Sequence, residues 1–170
     1  MYETKDRESN ATEYATTVER KSERELVVTR TFNGPAHIVF DAWTKPELLQ
    51  RWWVPKSFGA SFLSCEVDAR TGGKYRFVFS HPSLEQPASF FGRYIEVTPH
   101  SRVVWTNEEG GEDGAITTVT FEEREGETLV VMRDLYPSKE ALDDAIASGS
   151  TSTDAAGEQF EQLDELLVTL

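Results

Sequence analysis

The stretch from Asp154 to Leu170, DAAGEQFEQLDELLVTL, decides the fold. Its apolar residues Ala156, Phe160, Leu163, Leu167 and Leu170 recur at helical spacing, which predicts an amphipathic helix with one face to bury. Gly157 beside that face weakens the helix, a loss expected to be tolerated because the backbone there lies close to whatever the helix packs on. The one large apolar surface the rest of the chain can offer is a sheet, so the helix is expected to lie across it.

The chain before this helix supports that expectation. From Ala60 onward the apolar period is two, and strands are predicted at Ala60 to Asp68, Lys74 to Ser80, Ser89 to Val97, Arg102 to Asn107, Ala115 to Glu123 and Thr128 to Tyr136. Gly72-Gly73, Thr98-Pro99-His100, Gly110-Gly111 and Arg124 to Glu127 punctuate them, as in an antiparallel meander. An earlier β-branched run, ELVVTRTF from Glu25 to Phe32, predicts the first strand, and Asn33-Gly34-Pro35 ends it and opens a helix over Ala36 to Trp43. Thr44-Lys45-Pro46-Glu47 reads as a capping box for a second short helix carrying Leu48, Leu49 and Trp52. After the last strand, SKEALDDAIAS predicts a helical segment, interrupted at Gly149 before a polar STST stretch.

Together these elements give an α+β fold: a curved, seven-stranded antiparallel sheet around a long C-terminal helix, with two short helices after strand one. Residues 1–24 are polar and aperiodic and are expected to form a flexible tail, leaving 25–170 as one domain. On the strands, Tyr75, Phe77 and Phe79 are expected to share one face, as are Val103 with Trp105, and Leu63 with Cys65 and Val67.

A formal charge of −13 and a pI near 4.6 oppose binding to phosphate backbones or anionic lipid, so nucleic acid is not an expected partner. No run is long enough to span a bilayer, and the single cysteine, Cys65, allows no internal disulfide; a reducing, cytoplasmic setting is expected. His37, His81 and His100 sit in no metal-ligand spacing, and no nucleophile elbow or phosphate loop is present. The expectation is therefore a protein without metal, cofactor or catalytic residues.

Three blocks in order, DAWTKPELLQRWWVP (Asp41 to Pro55), DARTGGKYRFVF (Asp68 to Phe79) and GRYIEVTPHSRVVWT (Gly92 to Thr106), resemble bacterial SRPBCC-superfamily proteins of the activator of heat-shock protein 90 ATPase type. The resemblance covers about Glu25 to Leu170 and implies a START-like, birch-pollen-allergen-like helix-grip fold. That superfamily includes lipid and hormone carriers, polyketide cyclases and chaperone-activating domains, so fold alone does not select a function.

The residues favour binding over catalysis. Phe40, Trp43, Trp53, Tyr75, Phe77, Phe79, Tyr94, Trp105, Met132, Phe160 and Leu163 are expected to wall a cavity between sheet and C-terminal helix, with Arg30, Glu96 and Arg133 as polar anchors. Arg30 is expected to pair with Glu96 or Asp68. The expected partner is an apolar or aromatic small molecule, lipid- or polyketide-like. The alternatives are a protein-interaction role of the co-chaperone kind and a polyketide cyclase or dehydratase. Against chaperone activation stands the short polar segment before Glu25, where the eukaryotic activators carry a further domain. A homodimer contact through exposed Trp and Phe near the second helix is a further expectation.

Overall fold

The computed structural model describes residues 15–109, 111, 114–148 and 153–170. Eight strands form one antiparallel sheet in the order β1-β2-β8-β7-β6-β5-β4-β3. They are β1 (Thr17–Arg20), β2 (Glu25–Phe32), β3 (Ser61–Val67), β4 (Lys74–Ser80), β5 (Ala88–Thr98), β6 (Arg102–Thr106), β7 (Ile116–Arg124) and β8 (Glu127–Leu135). Among the described residues four α-helices accompany them: α1 (Ala36–Thr44), α2 (Pro46–Leu49), α3 (Lys139–Ala147) and α4 (Thr153–Val168). The α1–α2 segment carries the chain from β2 to β3 at the opposite edge, and α4 packs on α1, β1 and β2.

The sheet has one strand more than the seven expected. Thr17–Arg20 pairs with Leu26–Thr29, so part of the expected tail is an edge strand; four residues were too few to show a period against their polar neighbours. Residues 1–14 of that tail, and 149–152, which are Gly149 and the first three residues of the STST stretch, lie outside the described residues.

Two irregularities in the ladders shape the concave face. Between Phe62 and Ser64 the β3–β4 register shifts, leaving Leu63 as an extra residue. Phe62, Cys65 and Val67 therefore pack inward, while Leu63, expected beside Cys65, is 57% exposed. A second shift, between Tyr94 and Glu96, leaves Ile95 as an extra residue and moves the inward phase of β5 from Tyr94 to Val97. Bulges of this kind bend and twist a strand, and both fall on strands remote in the sheet from β1 and β2, on which α4 packs.

The helices are held by groups distant in sequence. Pro35 stands at the N-cap of α1, where it offers no side-chain acceptor, and Glu123 of β7 accepts the Ala36 N–H at 2.7 Å. The capping box expected at Thr44 is absent: its hydroxyl bonds back to the Phe40 carbonyl at 2.9 Å, and Lys45 takes the N-cap of a helix only four residues long. The buried face of α4 comprises Phe160, Leu163, Leu166 and Leu167; Leu170 lies past the helix end and is half-exposed.

Candidate functional site

Antiparallel pairing puts partners on the same face, so rows of side chains can be followed across the sheet. One concave row runs Val18, Val28, Met132, Val119, Val103 and Val97, apolar throughout. The adjacent row runs Leu26, Asp134, Thr117, Trp105 and Tyr94. A carboxylate and a hydroxyl thus stand in the middle of an otherwise apolar wall.

How far α4 and the aromatic rings fill the concavity differs along its length. Around Trp43 the space is packed: its ring centroid lies 4.7 Å from Trp52, 6.0 Å from Phe160 and 6.1 Å from Phe121. Edge-to-face stacking at these separations is the favoured arrangement of aromatic rings. A residual void of about 80 Å³ remains there, bounded by Trp43, Trp53, Tyr75, Phe77, Tyr94 and Trp105. Toward the N-terminal half of α4 the wall side chains shrink to Ala155 and Ala156, and a cavity of about 620 Å³ opens.

This larger cavity has its floor on β2 and β8, at Leu26, Val28, Met132 and Asp134. Trp53, Val54, Pro55 and Phe58, from the segment after α2, form one side; Phe79, His81, Ser83, Leu84, Ala88 and Phe90 form the other. Gly157 adjoins this region, and a Cβ built on it meets nothing within 4 Å. The close backbone approach expected at Gly157 is therefore not present; the glycine faces open space.

Three polar side chains of α4 hold the Trp52 to Ser57 segment in place. Gln162 donates to the carbonyls of Trp52 at 3.1 Å and Val54 at 2.9 Å and accepts from the Lys56 N–H at 2.8 Å. Gln159 donates to the Trp53 carbonyl at 2.6 Å, and Glu158 accepts from the backbone N–H of Ser57 at 2.9 Å and from its hydroxyl. On the other side of the mouth, His81 accepts the Ser83 N–H on Nδ1 at 3.0 Å, which leaves Nε2 to donate to the Phe58 carbonyl at 2.6 Å. That imidazole staples the β4–β5 loop to the turn at Lys56–Phe58.

Asp134 is the charged group of the cavity wall. Its Oδ1 accepts from the Thr117 hydroxyl at 2.5 Å, and Thr117 in turn accepts from Asn107 Nδ2 at 3.0 Å. The second Asn107 amide proton goes to the Ala115 carbonyl at 2.9 Å, so the proton of Thr117 has one direction left, toward the carboxylate. Burial pushes the Asp134 carboxyl up to about 6, only partly opposed by the Thr117 bond. No cationic side chain pairs with it among the described residues.

The expected wall residues divide into three groups. Trp53, Phe79 and Met132 face the large cavity. Trp43, Tyr75, Phe77, Tyr94 and Trp105 surround the small void. Phe40, Phe160 and Leu163 are solid core, with Phe40 stacked on Phe121 and His100. Burial raises the Tyr75 and Tyr94 hydroxyls well above the ordinary tyrosine range. The Tyr75 hydroxyl donates to the Thr106 carbonyl at 2.6 Å, and the absence of a Cβ on Gly92 admits that carbonyl, which would lie 2.1 Å from one.

None of the three expected anchors lines the cavity. Arg30 pairs with Asp164 of α4 at 3.0 Å, not with Glu96 or Asp68, because the helix crosses its strand there. Glu96 is turned out by the bulge at Ile95 and lies 3.4 Å from Arg102. Arg133 follows inward-facing Met132, so the two alternate across the sheet, and Arg133 lies 3.5 Å from Glu25. Asp134 and His81 were missed. Asp134 was legible, two residues after Met132 on the same face; His81 carried no local signal.

The tryptophans expected to be exposed near the second helix are not. Trp52 is fully buried, its Nε1 donating to the Ala42 carbonyl at 2.9 Å, and Trp53 packs on Phe77 and Trp105. Burial raises the Cys65 thiol to about 11, leaving it inert at neutral pH. No group of three His, Cys, Asp or Glu residues able to hold a metal occurs among the described residues, and no described helix is long and apolar enough to cross a membrane.

Comparison with known proteins agrees with this architecture. The family described as Activator of Hsp90 ATPase homolog 1-like protein matches residues 33–168. A crystal structure from Rhodobacter sphaeroides is similar at 25% identity and a TM-score of 0.80, covering 91% of this chain and 99% of that one. A solution structure from Staphylococcus epidermidis is similar at 28% identity and a TM-score of 0.75, covering 90% and 94%. An AHSA1-like protein from Aeromonas hydrophila shares the fold at 18% identity and a TM-score of 0.62, covering 82% and 94%. No curated protein matches.

Proposed function

We propose that this chain, which belongs to the activator of Hsp90 ATPase homolog 1-like family, binds a mainly apolar small molecule in the cavity between its sheet and the N-terminal half of α4. The observation that carries this reading is the cavity of about 620 Å³ with its aliphatic and aromatic walls. That volume lies within the range of pockets that enclose a small organic ligand, and such pockets combine apolar walls with few polar groups. Binding is favoured over turnover because the groups a cyclase would aim at a carbonyl are already engaged. The Tyr75 hydroxyl is bonded to Thr106 and Arg30 is paired with Asp164.

Titration with N-phenyl-1-naphthylamine, a neutral dye that fluoresces in apolar surroundings, tests the reading. Saturable one-to-one uptake is expected in the wild type, with loss in Ala156→Trp, whose indole would occupy the hollow. Equal uptake by a folded Ala156→Trp would refute it.

A regulatory, protein-contacting role is the second reading. It draws on Phe58, Leu84 and Phe90, which are 46%, 46% and 42% exposed around the cavity mouth. An apolar rim of this kind suits a partner's side chain as well as a ligand. ATP hydrolysis by the chaperone at saturating amounts of this protein distinguishes it: stimulation supports contact with that partner, and an unchanged rate removes it.

A further inference from the structure

The cavity wall specifies a head group as well as an apolar body. Among the described lining residues there is no lysine or arginine. The neutral polar side chains already have partners within the protein: both His81 ring nitrogens are bonded to Phe58 and Ser83, the Ser83 hydroxyl lies 2.6 Å from His81, and the Gln159 amide nitrogen bonds Trp53, leaving its Oε1 as an uncharged acceptor. Asp134 differs. Thr117 occupies Oδ1, oriented by Asn107, and Oδ2 has no hydrogen-bond partner among the described residues. The relay delivers a proton to the carboxylate side, as suits an ionised acceptor that still has lone pairs to offer the cavity.

We propose that the ligand carries a protonated amine that pairs with Asp134, while its apolar body lies against Trp53, Phe79 and Phe90. This rests on the cavity reading above and adds the charge of the ligand to it. A carboxylate head, as on a fatty acid, would meet a like charge with no cation to offset it, in a protein of formal charge −13. An ammonium instead supplies the counter-charge that a partly buried carboxylate lacks. The flanking aromatic faces also tolerate a cation.

Calorimetric titration at neutral pH with three probes of one shape, 6-phenylhexylamine, 6-phenylhexan-1-ol and 6-phenylhexanoate, tests the proposal. The amine is expected to bind roughly tenfold or more tighter than the alcohol, as for a charge-assisted hydrogen bond, and the carboxylate weakest. Asp134→Asn, which removes a desolvated charge and keeps an acceptor for Thr117, is expected to abolish the amine's advantage, so that amine and alcohol bind within about twofold of each other. Equal binding of amine and alcohol, tightest binding of the carboxylate, or a loss in Asp134→Asn common to all three probes would overturn the amine assignment. In each of those outcomes, alcohol binding that disappears in Ala156→Trp leaves the cavity reading standing. If the folded wild type binds none of the three, the cavity reading fails, and the amine assignment with it.

Discussion

Asp134→Asn should stabilise the protein at neutral pH and do nothing for it in acid. Burial displaces the carboxyl from an ordinary value of 3.8 to about 6. In that window the folded chain holds a proton that the unfolded chain has released, so folding stability falls as pH rises from about 4 to about 6 and is level above that. At about 1.4 kcal/mol per pH unit, the full penalty above the window is about 3 kcal/mol. Asparagine carries no charge at any pH and offers Thr117 the same acceptor. The variant should therefore be more stable than the wild type by about 2–3 kcal/mol at pH ~8, and equal to it within about 0.5 kcal/mol near pH ~4. Urea unfolding at several pH values measures the difference, and comparison with the wild type cancels the other carboxylates. A gain of the same size at every pH, or a loss at pH ~8, would refute the reasoning, because neither can come from a carboxyl whose proton affinity is raised by folding.

Other substitutions probe the frame of the site. Gln162→Ala leaves the Trp52 and Val54 carbonyls and the Lys56 N–H without their partner; chemical denaturation should show a loss of about 3 kcal/mol, and tryptophan emission should shift as Trp53 loosens. Gly157→Ala should gain about 0.5–1 kcal/mol by thermal melting, since its methyl enters open space within a helix. Arg30→Met should cost under about 1 kcal/mol in urea, while Asp164→Ala, which strands a buried guanidinium, should cost about 2 kcal/mol. Leu63→Thr should be neutral within about 0.5 kcal/mol, whereas Phe62→Ala, one residue earlier but facing inward, should cost about 2–3 kcal/mol.

Legibility in the sequence followed the range of the interaction. Seven of the eight strands, helices α1 and α3 and the buried phase of α4 could be read because period two or 3.6 is a property of neighbouring residues. Tyr75, Phe77 and Phe79 share a face as the alternation requires. The pattern misled at Leu63 and Glu96, where an inserted residue reverses the phase and nothing in SFLSCEV or RYIEV announces it. Small side chains at Ala155-Ala156-Gly157 were a usable sign of where the hollow lies, since the facing wall there has nothing to fill it. The clamp made by Glu158, Gln159 and Gln162 had no such sign, because polar residues on an amphipathic helix read as its solvent face.

What the amino-acid order determines by itself is the succession of elements and the face each must bury, because backbone geometry turns spacing into direction within a single strand or helix. Which aromatic rings plug the space and which line it, which carboxylate answers Arg30, and why Asp134 is left with an open lone pair toward the cavity are decided only when distant segments meet. Those outcomes depend on register, bulges and the crossing of α4, and each of these is a relation between segments far apart in the chain.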